Sequence, residues 1–245
     1  MTHHNRNQIE FKVHARHALF TDPLTRVGGE KCSYHVPTYE ALKGIAKSIY
    51  WKPTFIWIID AVRVMKPIRT QTKGTKPLNY GGGNDLAIYT FLADVEYQVR
   101  AHFVWNEHRS ELADDRNPAK HNDIARRMLD RGGRQDIFLG TRDCQGYVEP
   151  CAFGSGPGHY DGAGELAFGL MFHGFDYPDE TGEDKLHARF WKPTMKDGVI
   201  LFDRPEVCTA RKFVREMTRK KFVRNETLRA VEDEATALET SDGLD

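Results

Sequence analysis

The sequence has few cysteines, no net charge and no long apolar run. Its four cysteines, Cys32, Cys144, Cys151 and Cys208, are scattered and form no C-x-x-C pair. This spacing predicts reduced thiols and argues against both a zinc site and a disulfide framework. The 35 lysines and arginines balance the 35 aspartates and glutamates, so any polyanionic partner must be bound by a local basic patch. Because no apolar run reaches the length of a membrane span or a signal segment, we expect a soluble, cytoplasmic protein with no membrane partner.

The second predicted helix begins with side chains suited to holding an anion. Asn117 can cap this helix and Pro118 suits its first position, while Gly132-Gly133 is typical of a helix end. This register places Lys120 and His121 in the first turn, where free N–H groups and the helix dipole favour an anion. A lysine beside an imidazole can hold a phosphate and move a proton. The alternative is that both are solvated residues on the helix surface.

The first predicted helix ends at a tyrosine whose role is open. Thr38 can cap this helix. The apolar residues that share one helix face are Leu42, Ile45, Ala46, Ile49 and Tyr50. Pro53 disfavours a helical conformation at Lys52, so Tyr50 lies in the last turn. Its hydroxyl either lies in water at the edge of the core or points into a site beyond the helix end.

The order of the remaining segments predicts the fold class. Strands are expected at 9–13, at 55–65 and, from a long apolar alternation, at 91–105, whereas 66–85 is expected to be a long flexible loop. A further strand at 145–153 would complete an order of strand, helix, strand, strand, helix, strand. This order predicts an α+β protein with a ferredoxin-like domain, in which a four-stranded antiparallel sheet carries two helices on one face.

Glycines and arginines are concentrated between the second helix and the last of these strands. Glycines let a backbone approach a sugar-phosphate chain closely, and arginines supply bidentate phosphate contacts. The candidate RNA-binding residues are Arg131, Gly132, Gly133, Arg134, Gly140, Arg142 and Gly146. Glycine-rich loops are common, so this pattern alone is weakly specific.

The C-terminal part of the chain is predicted to be a separate, β-rich extension. Short strands are expected at 166–175, 186–191 and 199–202, and they should form a small antiparallel sheet with Asp197-Gly198 as a hairpin turn. His173 and His187 lie in these strands and are expected to be structural. The predicted organisation is a domain over 8–155, a β-rich domain over 156–216 and a charged, disordered tail over 217–245.

Several strings in the chain are long and unusual. Near the N-terminus they are ALFTDPLT, GGEK, VPTY, ALKGI and IYWKPT, starting at Ala18, Gly28, Val36, Ala41 and Ile49. Further along they are DIFLG, QGYV, HGF and YPDETG, starting at Asp136, Gln145, His173 and Tyr177. Together they resemble the family-five Cas proteins of subtype I-C (Dvulg) CRISPR systems, and the resemblance covers roughly residues 9 to 215.

This resemblance implies a fold, an activity and partners. The fold would be a ferredoxin-like, RRM-related domain of the RAMP type with a β-rich extension. The activity would be that of an endoribonuclease that cuts CRISPR precursor RNA at the base of the repeat hairpin. The protein would then stay on the 5′ handle of the crRNA as a subunit of the type I-C interference complex, with other Cas subunits as partners. The family's catalytic tyrosine falls on Tyr50, its Lys-His pair on Lys120 and His121, and its glycine-rich loop on 132–146.

These residues suit RNA cleavage without a metal or another cofactor. The 2′-OH would attack the adjacent phosphorus in line and the 5′ oxygen would leave, giving a 2′,3′-cyclic phosphate and a 5′-OH. Because an unperturbed histidine has a pKa of about 6.5, His121 is expected to act as base or acid. Lys120, with the helix N-terminus, would stabilise charge on the phosphoryl oxygens. Tyr50 would orient the 2′-OH or share in proton transfer, and the sequence leaves both roles open.

Two other interpretations compete with an endoribonuclease. Many family-five relatives of other subtypes are non-catalytic, so this chain could be a scaffold that only binds the crRNA 5′ handle. A general RNA-binding module of the RRM type would be favoured by exposed sheet aromatics in the RNP pattern, which the sequence lacks.

Overall fold

The computed structural model describes residues 7–23, 25 and 30–220. Within them the strands are β1 Gln8–Ala18, β2 Phe55–Val64, β3 Thr70–Thr75, β4 Ala87–Trp105, β5 Ile137–Phe138, β6 Gln145–Pro150, β7 Glu165–Ala167, β8 Met171–Asp176, β9 Lys185–Trp191, β10 Thr194–Lys196, β11 Val199–Leu201 and β12 Ala210–Glu216. The α-helices are α1 Tyr39–Ile49, α2 Pro118–Asp130 and α3 Pro178–Thr181, and a 3-10 segment covers Ser110–Asp115. The chain is therefore a mixed α/β protein.

The larger sheet is antiparallel throughout and contains most of the strands. Its order is β5-β6-β1-β4-β2-β11-β10-β7, and β3 pairs separately with the start of β4. Ile9, Phe11 and Val13 are buried in β1, and Phe11 pairs with Val99 of the central strand β4. The strands predicted near 9–13, 55–65, 91–105 and 145–153 are all present.

The predicted starts of both helices are confirmed by capping hydrogen bonds. The Thr38 hydroxyl accepts from the amide of Ala41 at 3.2 Å, and Asn117 accepts from the amide of Lys120 at 3.1 Å. Pro118 occupies the first turn of α2. The helix ends where Gly132, at a φ of 84°, adopts the left-handed conformation that glycine tolerates.

A smaller antiparallel sheet, in the order β12-β9-β8, lies against α1. The predicted small sheet was expected to include the strand at 199–202, and this was wrong. In the structure Ile200 is fully buried and pairs with Val62, so β11 extends the larger sheet instead. An apolar side chain in this short strand is buried more completely against the core of the larger sheet than in a separate extension.

The region 66–85 was predicted to be a loop throughout, and this was wrong for Thr70–Thr75, which form strand β3, whereas 76–85 is irregular as expected. β3 pairs with the first part of β4 over the register Thr70–Leu92 to Thr75–Ala87. These pairs are held by backbone hydrogen bonds, which need no apolar alternation, and most of their side chains are exposed. The predicted charged tail at 217–245 lies outside the described residues from 221 onward.

No helix within the described part of the chain is long and apolar enough to cross a membrane.

Candidate active site

The end of α1 directs Tyr50 towards the start of α2. The backbone N–H of Tyr50 donates to Ala46, and the Trp57 indole donates to the Tyr50 carbonyl at 2.7 Å. The tyrosine is 2% exposed, and its hydroxyl lies 2.8 Å from Nδ1 of His121. Of the two positions considered from the sequence, the hydroxyl therefore takes the one inside a cluster beyond the helix end and not the one in water.

His121 is fully buried in the first turn of α2. Its ring is surrounded by Phe55, Phe103 and Trp105, with centroids at 5.3, 6.3 and 5.8 Å. The alternative of a solvated helix-surface residue is therefore wrong for this histidine. The three aromatic residues lie on β2 and β4, so the burial results from the packing of α2 on the sheet.

The hydrogen bonds of His121 define its neutral tautomer. Nε2 lies 2.7 Å from the backbone carbonyl of Asp115, which can only accept, so Nε2 carries the proton. Nδ1 then has a lone pair and accepts from the Tyr50 hydroxyl. Burial raises the pKa of Tyr50, as does the negative charge of Asp115, and the nearby Arg134 guanidinium only partly opposes them. The tyrosine is therefore a hydrogen-bond donor near neutral pH.

Asp115 joins all parts of this cluster, and the sequence analysis gave it no role. One carboxylate oxygen lies 2.6 Å from Nζ of Lys120, and the other accepts from the Thr54 hydroxyl at 2.9 Å and lies 3.4 Å from Nε2 of His121. Burial acts to raise the pKa of Asp115, but the hydrogen bonds from Lys120 and Thr54 outweigh it, and the pKa is lowered. The residue is thus an anion that can stabilise a protonated His121. Its position two residues before the helix cap was the available signal.

Lys120 is the solvent-facing member of the cluster. Its side chain is 49% exposed, although its ammonium is paired with Asp115. It lies in the first turn of α2, beside the positive end of the helix dipole. An incoming anion can therefore reach Lys120 without entering the core.

The three arginines of the predicted RNA-binding stretch do not converge. The backbone of Arg134 donates to the carbonyls of Ser48 and Ile49, which holds this exposed residue beside Tyr50. Arg131 follows the C-terminal end of α2, and Arg142 lies over the Phe138 ring at 5.9 Å. Only Arg134 lies close to the cluster.

Two glycines of that stretch are required by close packing. A Cβ on Gly140 would lie 2.0 Å from the Leu19 carbonyl oxygen, and one on Gly146 would lie 2.8 Å from that of His14. Gly132 and Gly133 both have positive φ at the end of α2. These contacts explain the glycines without an RNA ligand, so a role in RNA binding stays a prediction.

Comparison with known proteins shows the family of the chain. The sequence model of the CRISPR-associated Cas5 proteins (Cas_Cas5d) matches residues 8–203. The chain belongs to this family. The resemblance that the sequence strings indicated is thereby confirmed.

Relatives in the Cas5 family match most of this chain. A protein from Mannheimia succiniciproducens, named CRISPR pre-crRNA endoribonuclease Cas5d, is 29% identical over 79% of this chain and 94% of its own length. A Thermus thermophilus protein of the same name is 28% identical over 73% of this chain and 78% of its own length. A crystal structure described as a CRISPR-associated protein has 36% identity and a TM-score of 0.69, covering 84% of this chain and 96% of that chain.

Proposed function

We propose that this protein is a metal-independent endoribonuclease that cleaves CRISPR precursor RNA at the base of the repeat hairpin. The observation that carries the proposal is the 2.8 Å hydrogen bond between the Tyr50 hydroxyl and Nδ1 of His121. It joins two groups that are 71 residues apart in the sequence and that can together accept a proton. The names of the two Cas5d relatives support the same substrate and reaction.

The hydrogen-bond direction suggests how the proton of the 2′-OH is removed. Tyr50 accepts this proton on its oxygen while its own proton passes to Nδ1 of His121. The relay avoids a free tyrosinate, which the raised pKa of Tyr50 disfavours. The resulting imidazolium is stabilised by the Asp115 carboxylate, 3.4 Å from Nε2.

The phosphate would be held from the solvent side of the cluster. As the 2′ oxygen bonds to phosphorus and the bond to the 5′ oxygen breaks, negative charge grows on the phosphoryl oxygens. Lys120 and the exposed Arg134 are the cations placed to stabilise it, and the phosphate would compete with Asp115 for Lys120. The 5′ oxygen takes a proton from water, the hydroxide formed is neutralised by the proton that His121 gives back through Tyr50, and the products are a 2′,3′-cyclic phosphate and a 5′-OH.

We further propose that residues 8–155 form a ferredoxin-like catalytic domain of the RAMP type. The sheet order β6-β1-β4-β2, with α1 after β1 and α2 after β4, supports this fold. Residues 156–216 would be the β-rich extension, although β7, β10 and β11 continue the larger sheet. After cleavage the protein would stay on the crRNA 5′ handle, with other Cas subunits of the type I-C interference complex as partners.

A non-catalytic scaffold is the second candidate function. The observation in its favour is the burial of Tyr50 and His121, at 2% and 0% exposure. An endoribonuclease would need RNA binding to uncover the Tyr50 hydroxyl, whereas a scaffold would not.

The deciding experiment is cleavage of a labelled repeat hairpin in EDTA by wild type and by His121→Ala. We expect cleavage by wild type alone, and none of a hairpin with a single 2′-deoxy substitution at the cut site, which should still bind. Thermal unfolding of both proteins separates lost chemistry from lost folding. Tight binding without cleavage by either protein would favour the scaffold, and equal cleavage by both would move the active site elsewhere.

A further inference from the structure

A basic groove lies at the end of β4 that is remote from His121. It encloses about 550 Å³ between β1, β3 and the start of β4. The basic and aromatic side chains that line the groove are His17, Lys31, Lys73, Lys76, Tyr89 and Phe91. Asp143 is the carboxylate on its rim, so three lysines face one acidic residue.

The lysines of this groove lack the ion pairs that five other described lysines make. Lys12, Lys43, Lys47, Lys66 and Lys120 each have a carboxylate partner within 3.2 Å. Among the described residues no such partner is found for Lys31, Lys73 or Lys76. The positive charge of the groove is thus available to an anion.

Two of these lysines are held over aromatic rings. Nζ of Lys31 lies 4.7 Å from the centroid of the half-buried Tyr89 ring, and Nζ of Lys73 lies 5.5 Å from that of Phe91. Lys73 also lies 3.4 Å from Nδ1 of His17, whose Nε2 pairs with Gln71 at 2.8 Å. Two of the three ammonium groups therefore lie beside aromatic rings in the absence of a ligand.

We propose that this groove binds single-stranded RNA, and that it holds the strand flanking the repeat hairpin before and after cleavage. Unpaired cations beside an accessible aromatic ring are the combination that single-stranded nucleic acid sites use, because phosphates pair with the cations and a base stacks on the ring. The half-buried Tyr89 is the ring that a base can reach, whereas Phe91 is 5% exposed and supports Lys73 from below. This inference rests on the proposed function for the identity of the RNA, but the binding chemistry belongs to the groove itself.

The groove is separate from the candidate active site. Phe91 lines the groove and Phe103 packs against His121, and the two residues are twelve positions apart along β4. At the rise of a β-strand this separation corresponds to about 40 Å. The groove should therefore affect how tightly RNA is held and not the rate of the chemical step.

The test compares two double variants with the same change in charge. Lys31→Ala/Lys73→Ala removes two groove cations, and Lys192→Ala/Lys196→Ala removes two exposed lysines outside the groove. Binding of labelled oligouridylate is measured against salt concentration, beside a blunt RNA duplex. For the groove variant we expect about tenfold weaker binding of oligouridylate and a salt slope smaller by about 1.4, while the control variant binds like wild type. Lys31→Arg/Lys73→Arg, which keeps the charge, should retain binding.

Single-turnover cleavage at saturating enzyme separates this inference from the proposed function. The groove variant should cleave at the wild-type rate once RNA is saturated. If the wild-type protein does not cleave the hairpin but the groove variant still binds oligouridylate more weakly than wild type, the groove is supported and the proposed activity is contradicted. The inference is overturned if the two double variants bind oligouridylate equally well, or if the groove variant loses as much affinity for the duplex as for oligouridylate. A cleavage rate below that of wild type at saturation in the groove variant would overturn it as well.

Discussion

Two regions of the molecule each contain a fully buried histidine beside a tyrosine, and their chemistry differs. His121 lies between α2 and the larger sheet, and its ring is 6.0 Å from that of Tyr50. His173 lies between α1 and the smaller sheet, and its ring stacks on Tyr39 at 4.2 Å. In each histidine Nε2 meets a backbone carbonyl, at 2.7 and 2.9 Å. Burial and residue type are therefore the same in both regions.

The difference lies in the charge next to each ring. Burial together with the Arg189 guanidinium, which donates to Nδ1 of His173 at 3.4 Å, lowers the pKa of His173 to about 3. His121 instead has a neutral hydroxyl at Nδ1 and the Asp115 carboxylate 3.4 Å from Nε2. A proton arriving on His121 is stabilised, whereas a proton on His173 is repelled. Because both side chains are fully buried, the sign of the neighbouring charge is the feature that distinguishes the two histidines.

Among the variants that test the difference between the two histidines, Tyr50→Phe is expected to have the largest effect. The change removes the hydroxyl that hydrogen-bonds to His121 but keeps the aromatic ring. Because the proposed relay then has no first acceptor, single-turnover cleavage should slow by about 10²- to 10⁴-fold. The measurement is the rate on a labelled repeat hairpin at saturating enzyme.

Tyr39→Phe is the matched control for this change. It removes a hydroxyl from the buried tyrosine stacked on His173 and should leave the cleavage rate unchanged. Equal slowing in both variants would mean that the hydroxyl of Tyr50 serves the fold and not the reaction.

Local signals in the sequence were enough to predict the ends of the elements that carry the site. Thr38 and Asn117 cap their helices through hydrogen bonds that span only three residues, and Pro118 occupies its expected place. Such contacts depend on neighbours in the chain, so residue type reveals them. The position of Lys120 in the first turn of α2 followed from the same signals, whereas Tyr50, predicted in the last turn of α1, is the extended residue directly after it.

The burial of His121 could not be predicted because it depends on distant residues. Its neighbours Phe55, Phe103 and Trp105 come from two strands that meet α2 only in the folded chain. The strand Thr70–Thr75 was missed for a related reason, since its side chains are mostly polar and only backbone pairing with β4 reveals it. The two glycines at 140 and 146 likewise owe their identity to close contacts with distant backbone, at Leu19 directly after β1 and at His14 within β1.

The next largest effect is expected in the pH dependence of protein stability, which His173 contributes to. The folded-state pKa of His173 is about 3, below that of an unfolded histidine at about 6.5, so the unfolded chain binds the extra proton between these values. The stability contribution is complete above about pH 6.5 and is lost as the pH falls, by up to about 1.4 kcal/mol per pH unit. Urea unfolding at pH 6 and pH 4 should show this loss.

His173→Gln should make that pH dependence less steep, because glutamine has no proton to gain. His14→Gln, at a histidine whose side chain is 41% exposed, is the control and should keep the wild-type dependence. A wild-type protein as stable at pH 4 as at pH 6 would contradict the contrast drawn between the two histidines.

The smallest effect is expected from Asp115→Asn, which removes the carboxylate charge by which the surroundings of His121 differ from those of His173. Without the carboxylate the protonated imidazole loses its stabilisation, so kcat should fall about tenfold. KM should stay the same or fall, because Lys120 is freed from its 2.6 Å ion pair and can bind the phosphate. Asp114→Asn makes the same charge change at an exposed neighbour and should alter neither constant. A variant with lower thermal stability but an unchanged kcat would show that Asp115 only supports the fold, and the charge beside His121 would then not explain its reactivity.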